Sequence, residues 1–79
     1  MLNQDTAKLL KGYRKERSLT QEELSFRSDV PVRTIQDLEA GKCTPRLETI
    51  FKLSVGFDLD HRIFTQAVFE VWKNNQDDE

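Results

Sequence analysis

Between Thr20 and Gly41 the chain reads "TQEELSFRSDVPVRTIQDLEAG", two short apolar-periodic segments separated by Ser28-Asp29-Val30-Pro31. Thr20 followed by Glu23 has the spacing of a capping box, in which hydroxyl and carboxylate satisfy orphan amides at a helix start. A helix is therefore predicted over about 21–28, with Leu19 ahead of it as a hydrophobic staple and Leu24 and Ser28 turned inward. Asp29 predicts a turn, since Asp tolerates left-handed backbone angles better than most non-glycine residues. Pro31, with its fixed φ and no amide, suits a second helix start. That helix is predicted over about 32–40, with Ile35 and Leu38 inward and Gly41 as its stop. Packing among Leu24, Ser28, Val30, Ile35 and Leu38 would fix the crossing angle and hold the second helix proud of the fold. A helix so held can enter a DNA major groove, whose edges carry a distinct donor and acceptor code.

The flanking sequence is also helical. Leu9, Leu10 and Tyr13 recur at helical spacing within a first predicted helix of about 5–17, interleaved with Lys8, Lys11, Arg14 and Lys15. Gly12 inside it costs about 1 kcal/mol relative to Ala, which suggests a neighbouring helix crossing closely there. After Gly41, "KCTPRLE" repeats a start signal, with Thr44 as cap and Pro45 as first residue, for a helix of about 46–55 burying Leu47, Ile50, Phe51 and Leu53. Asp58 can cap a fifth helix of about 59–73, whose apolar stripe is Ile63, Phe64, Ala67, Val68, Val71 and Trp72. The polar end, residues 74–79, should fray. No strand-like alternation occurs, so the expected fold class is all-α, a compact five-helix bundle.

Seventy-nine residues suffice for one small domain, 1–79, and not for two cores. The 37% apolar and 33% charged content suits a thin core under a heavily charged surface. The single cysteine, Cys43, rules out an internal disulfide and a cysteine-held zinc. "MLNQDTAKLLKGYRK" lacks the apolar run of a signal peptide, and no window approaches a membrane span of about 20 apolar residues. The expected location is the cytoplasm, with no membrane contact. His61 lacks a second ligand at metal spacing and reads as surface; Cys43 has no base or redox partner and reads as a small packing residue or free thiol. No nucleophile and base, phosphate loop or metal cluster is legible, so no enzyme, cofactor or bound metal is expected. The net charge is −2, but residues 1–57 hold ten Lys/Arg against eight Asp/Glu, and residues 58–79 two against six. DNA binding thus requires a local basic face, not the field of the whole molecule.

The segments "LTQEEL", "IQDLEAGK" and "TPRLETIFKL" together resemble the phage-repressor and Cro (Xre) class of helix-turn-helix domains, over about Leu10 to Asp60. The resemblance implies a lambda-repressor-like domain of five helices, acting as a dimer on a near-palindromic operator in double-stranded DNA. It puts Val32, Arg33, Gln36 and Asp37 on the outward face of the recognition helix, as base contacts. It puts Gln21, Thr34, Lys42 and Arg46 at positions that contact the DNA backbone, and makes Arg14 and Glu39 an ion pair beneath the recognition helix. Chemically, Arg33 suits base reading best, because a guanidinium can bond guanine O6 and N7 together. Val32 can press on a thymine methyl, whereas Asp37 would repel phosphate unless it accepts from cytosine N4 or orients Arg33. Two positions depart from the family pattern: Asp29 replaces a glycine common in the turn, and Pro31 replaces a polar cap. In length the chain also resembles the small controller proteins of restriction-modification systems, although phage-repressor and antitoxin-type regulators share the same core.

Helix five has more apolar surface than a four-helix core of this size can cover, and exposed apolar patches mark interfaces. Homodimerisation through helices four and five is expected, using Ile63, Phe64, Val68, Phe69, Val71 and Trp72. Phe26, on the outer side of helix two, is expected to pack against the first or last helix. The leading expectation is a sequence-specific DNA-binding transcriptional regulator. The alternative is a protein-interaction module, antitoxin- or adaptor-like, that keeps this fold but presents Val32, Asp37 and Phe26 to a partner and binds little or no DNA.

Overall fold

The computed structural model describes residues 2–76, which form five helices: α1 (Leu2–Glu16), α2 (Gln21–Ser28), α3 (Val32–Glu39), α4 (Leu47–Gly56) and α5 (His61–Gln76). The predicted all-α bundle is what the chain forms, and the differences lie at helix ends. α1 starts three residues before Asp5 because tertiary contacts hold its first turn. Thr44 Oγ1 donates to Asn3 Oδ1 (2.6 Å), and Asn75 Nδ2 donates to Asp5 Oδ2 (3.3 Å). Asn75 also shows that α5 continues beyond Lys73; of the predicted frayed tail, 74–76 are helical and 77–79 lie outside the described residues.

The α2 start is as predicted. Glu23 N–H donates to Thr20 Oγ1 (3.0 Å) and Thr20 N–H to Glu23 Oε1 (2.8 Å), above a buried Leu19. Asp29 ends the helix with φ 62°, the left-handed conformation expected of it. Pro31 is the N-cap of α3, which has no side-chain cap.

Three helices end in the same device, a left-handed residue that lets two backbone amides fold back onto the last turn. Ser18 (φ 54°) does this for α1, Gly41 (φ 74°) for α3 and Asp58 (φ 57°) for α4. At α3 the Lys42 and Gly41 amides donate to the Asp37 and Leu38 carbonyls. Asp58 therefore terminates α4 and does not cap α5. The α5 cap is Asp60, whose Oδ1 accepts from the Arg62 amide (2.8 Å). Likewise Thr44, whose hydroxyl is engaged by Asn3, does not cap α4; Arg46 holds that position and the helix starts at Leu47.

The core joins Leu10, Leu19, Leu24, Val30, Ile35, Leu38, Ile50, Leu53, Phe57 and Phe64. Phe57 and Phe64 pack with Tyr13 at ring separations of 5.5–5.6 Å. Arg17 lies over Tyr13 and Phe57 and donates to the Phe57 carbonyl (2.7 Å), tying the ends of α1 and α4 together. Phe64 is thus a core residue of the monomer, not the dimer contact expected of it: it is 0% exposed because it closes the aromatic cluster.

The close helix crossing is at Gly56, not Gly12. A Cβ on Gly12 would meet nothing within 4 Å, whereas one on Gly56 would stand 2.7 Å from Ser28 Cβ and 2.9 Å from Leu24 Cδ1. Gly56→Ala is expected to destabilise the domain by about 1–3 kcal/mol through overpacking, read as a lower urea midpoint with an unchanged m-value. Gly12→Ala should instead hold or raise the midpoint.

α4 departs from expectation in the face it buries. Ile50 and Leu53 are inside, but Leu47 and Phe51 are exposed, in line with an exposed Val55. Each of these three is one turn from the next, so they form an apolar row on the outside. Phe51 meets the edge of His61 at 6.0 Å, which continues the row onto the face of α5 that exposes Phe69 and Trp72; Val68 and Val71 are half-buried, and Ile63 is exposed on the other side of the helix. Among the described residues no helix is long and apolar enough to cross a membrane.

Candidate nucleic-acid interface

Ile35, Leu38 and Glu39 face the core, so helical geometry turns Arg33, Gln36 and Asp37 away from it, with Val32 half-buried at the start of α3. Arg33 is 83% exposed in its side chain, and its Nε lies 3.6 Å from Asp37 Oδ1 one turn on. Asp37 is thus within reach of the Arg33 guanidinium along the outer face of α3. The pair is exposed and weakly held, which leaves the guanidinium fork able to turn toward a ligand.

The base of α3 is fixed by a two-pronged ion pair. Arg14 Nε donates to Glu39 Oε2 (2.7 Å) and Nη2 to Oε1 (2.9 Å), while Nη1 donates to the Leu19 carbonyl (2.8 Å). The expected scaffold pair is formed, with Glu39 only 3% exposed. Burial pushes the Glu39 carboxyl up, but hydrogen bonds from Arg14 and Gln21 and the charges of Arg14 and Lys11 outweigh it, holding it below the usual range. The hydrogen bonds to Glu39 in turn hold Arg14 protonated more firmly than usual.

Gln21 stands at the first turn of α2, where helix amides favour an anion. Its Nε2 donates to Glu39 Oε1 (3.1 Å), so the side chain expected at the DNA backbone also locks the scaffold. Gln21 and Gln36 share an open cleft of about 330 Å³ with Lys11, Arg14, Lys15 and Glu39. On the other side of α3, Thr34 and Arg46 share a cleft of about 440 Å³ with Cys43 and Thr49. Lys42 stands exposed in the bend beyond Gly41. The structure therefore groups the sequence-predicted residues as Arg33 with Asp37, Gln21 with Gln36, and Thr34 with Arg46.

Lys11 and Lys15, which the sequence did not single out, line the cleft that holds Gln21 and Gln36. The signal was there: Arg14 is tied to Glu39, so its neighbours on the exposed edge of α1 border α3. Phe26 is 80% exposed and packs against neither the first nor the last helix as expected, since Leu24 and Ser28 take the buried face of α2. Cys43 is an exposed free thiol, and His61 is exposed beside Asp60.

Two short helices at a fixed angle, a left-handed turn between them and an outward polar row on the second define a helix-turn-helix domain. The sequence profile of the helix-turn-helix family matches residues 10–64. The chain belongs to that family of DNA-binding regulators. No curated protein matches the sequence. Among solved structures it is similar to the restriction-modification controller protein C.AhdI from Aeromonas hydrophila, at 26% identity, covering 78% of this chain and 94% of that one with a TM-score of 0.72. It is also similar to the wild-type controller protein C.Esp1396I, at 18% identity over 90% of this chain and 93% of that one, TM-score 0.76. The same fold, identity and coverage recur in the C.Esp1396I tetramer in complex with its natural 35 base-pair operator.

Proposed function

We propose that the protein regulates transcription as a homodimer on a near-palindromic operator, acting in the cytoplasm as a controller-type regulator and not as an enzyme. The observation that carries this reading is the outward row Arg33, Gln36 and Asp37, raised on a helix whose base is pinned by Arg14, Glu39 and Gln21. Val32, Arg33, Gln36 and Asp37 meet base edges, while Gln21, Thr34, Lys42 and Arg46 meet sugar-phosphate. Support comes from the shared fold of C.Esp1396I, which was solved as a tetramer on its operator. Dimerisation in this reading uses the apolar surface that runs from Leu47, Phe51 and Val55 past His61 onto Phe69 and Trp72, with Val68 and Val71 at its edge and Ile63 exposed on the other side of α5. Two-fold pairing would set the recognition helices roughly 34 Å apart, one DNA turn.

Selection from random duplexes by the purified protein tests this directly, and enrichment of a sequence with two-fold symmetry is expected. In the selected duplex, Arg33→Ala should relax one base pair per half-site and weaken binding by about 1–3 kcal/mol. A second reading is favoured by Phe26, a large apolar side chain 80% exposed on α2. It makes the domain a protein-interaction module with little DNA binding. Well-folded dimer that enriches no duplex at low salt would select that reading.

A further inference from the structure

Lys11 and Lys15 lie one turn apart on α1, both exposed, and both line the cleft that also holds Gln21 and Gln36. Among the described residues neither ammonium has a carboxylate within ion-pair distance. The one carboxylate in the cleft is not free to oppose an anion. Glu39 has both oxygens taken by Arg14, one of them shared with Gln21, and its side chain is almost wholly buried. The cleft thus presents two unpaired lysines beside a neutralised pair, with the amide end of α2 at its edge.

We propose that this cleft extends the Gln21 contact into a phosphate-binding site of the DNA interface, in which Lys11 and Lys15 clamp a backbone phosphodiester of the strand flanking the major groove. The assignment rests on the DNA-binding reading and adds α1 to it. Gln36 gives the geometry: it stands on the outward face of α3 and on the cleft wall, so a helix lying in the groove brings the adjoining backbone over the cleft mouth. Lysine suits the role because a phosphate oxygen needs a point charge on a long stem more than a planar fork. The contact positions the duplex and reads no base.

The test measures binding of the selected duplex and of a random-sequence duplex across a salt series. Lys11→Ala/Lys15→Ala should weaken both duplexes by the same factor and reduce the slope of log K against log salt by about 1.8. The wild-type advantage should therefore shrink about 12-fold between 50 and 200 mM salt. Lys11→Arg/Lys15→Arg should restore the slope. Lys8→Ala, one turn away on the same helix but outside the cleft, should leave it unchanged. An unchanged slope in the alanine pair, or an equal loss in Lys8→Ala, overturns the site. If Arg33→Ala still relaxes specificity in that case, the DNA reading stands without it. Wild-type protein that binds neither duplex overturns both.

Discussion

Glu39→Ala is expected to cost about 3–5 kcal/mol of folding stability, because it leaves the Arg14 guanidinium largely buried without its partner. The same change releases Gln21, whose amide donates to the lost carboxylate, so three helices lose their common anchor. Urea denaturation should show the full loss as a lower midpoint. In a domain with a total stability of about 5–15 kcal/mol, much of the population would unfold on mild heating. A double variant, Arg14→Met with Glu39→Leu, separates breaking the pair from its net worth. It should regain most of the stability, since replacing both charges by apolar side chains is often neutral. It should not regain full DNA affinity, because Gln21 then lacks the carboxylate that positions its amide, although the packing of Leu24, Val30, Ile35 and Leu38 still sets the angle of α3.

The pair also predicts an acid response. The folded Glu39 carboxyl is held below its ordinary value, so the unfolded chain binds more protons and stability rises with pH in that range. Its contribution is fully present above the unfolded value of about 4.3 and is lost as pH falls through the folded one. Acid titration of the wild type and of the Arg14→Met, Glu39→Leu variant, followed by far-UV circular dichroism, should show a weaker pH dependence in the variant.

Phe64→Ala is the second large effect, expected at about 3–5 kcal/mol, since it empties the centre of the Tyr13, Phe57 and Phe64 cluster. Its counterpart on the same helix, Phe69→Glu, should leave the subunit folded by far-UV circular dichroism at room temperature, because Phe69 is half exposed and its ring only leans on Trp72 at 5.7 Å, outside the core. That variant should instead halve the mass seen in sedimentation equilibrium and weaken operator binding. The opposite pattern, in which Phe69→Glu unfolds the chain and leaves the mass unchanged, would remove the apolar row as the dimer surface.

Much of the helix-turn-helix unit was legible locally. The α2 cap needs only Thr20 and Glu23, the turn needs only a residue that accepts φ 62° at Asp29, and the α3 stop needs only Gly41. Start signals failed where a residue had a competing use. Thr44 has the chemistry of a cap, but Asn3, far away in sequence, takes its hydroxyl. Asp58 and Asp60 are both plausible caps two residues apart, and the need for a left-handed residue after α4 consumes the first. Periodicity identified the apolar residues of α4 without telling which face turns inward, since Ile50 and Leu53 lie on one side and Leu47, Phe51 and Val55 on the other.

By itself the sequence determined five helices, the turn between α2 and α3, the outward row of α3 and the Arg14–Glu39 pair that the family resemblance implied. The helices, the turn and the row follow from signals a few residues long, or from positions that α3 must expose once Ile35 and Leu38 are buried, whereas the pair, with partners 25 residues apart, came only from the resemblance. Only the tertiary structure decided that Phe64 is core, that Gly56 marks the close crossing, that Phe26 is bare and that Lys11 and Lys15 border Gln36. Those facts depend on which helix faces meet, and that choice belongs to the packing of all five helices together rather than to any one segment.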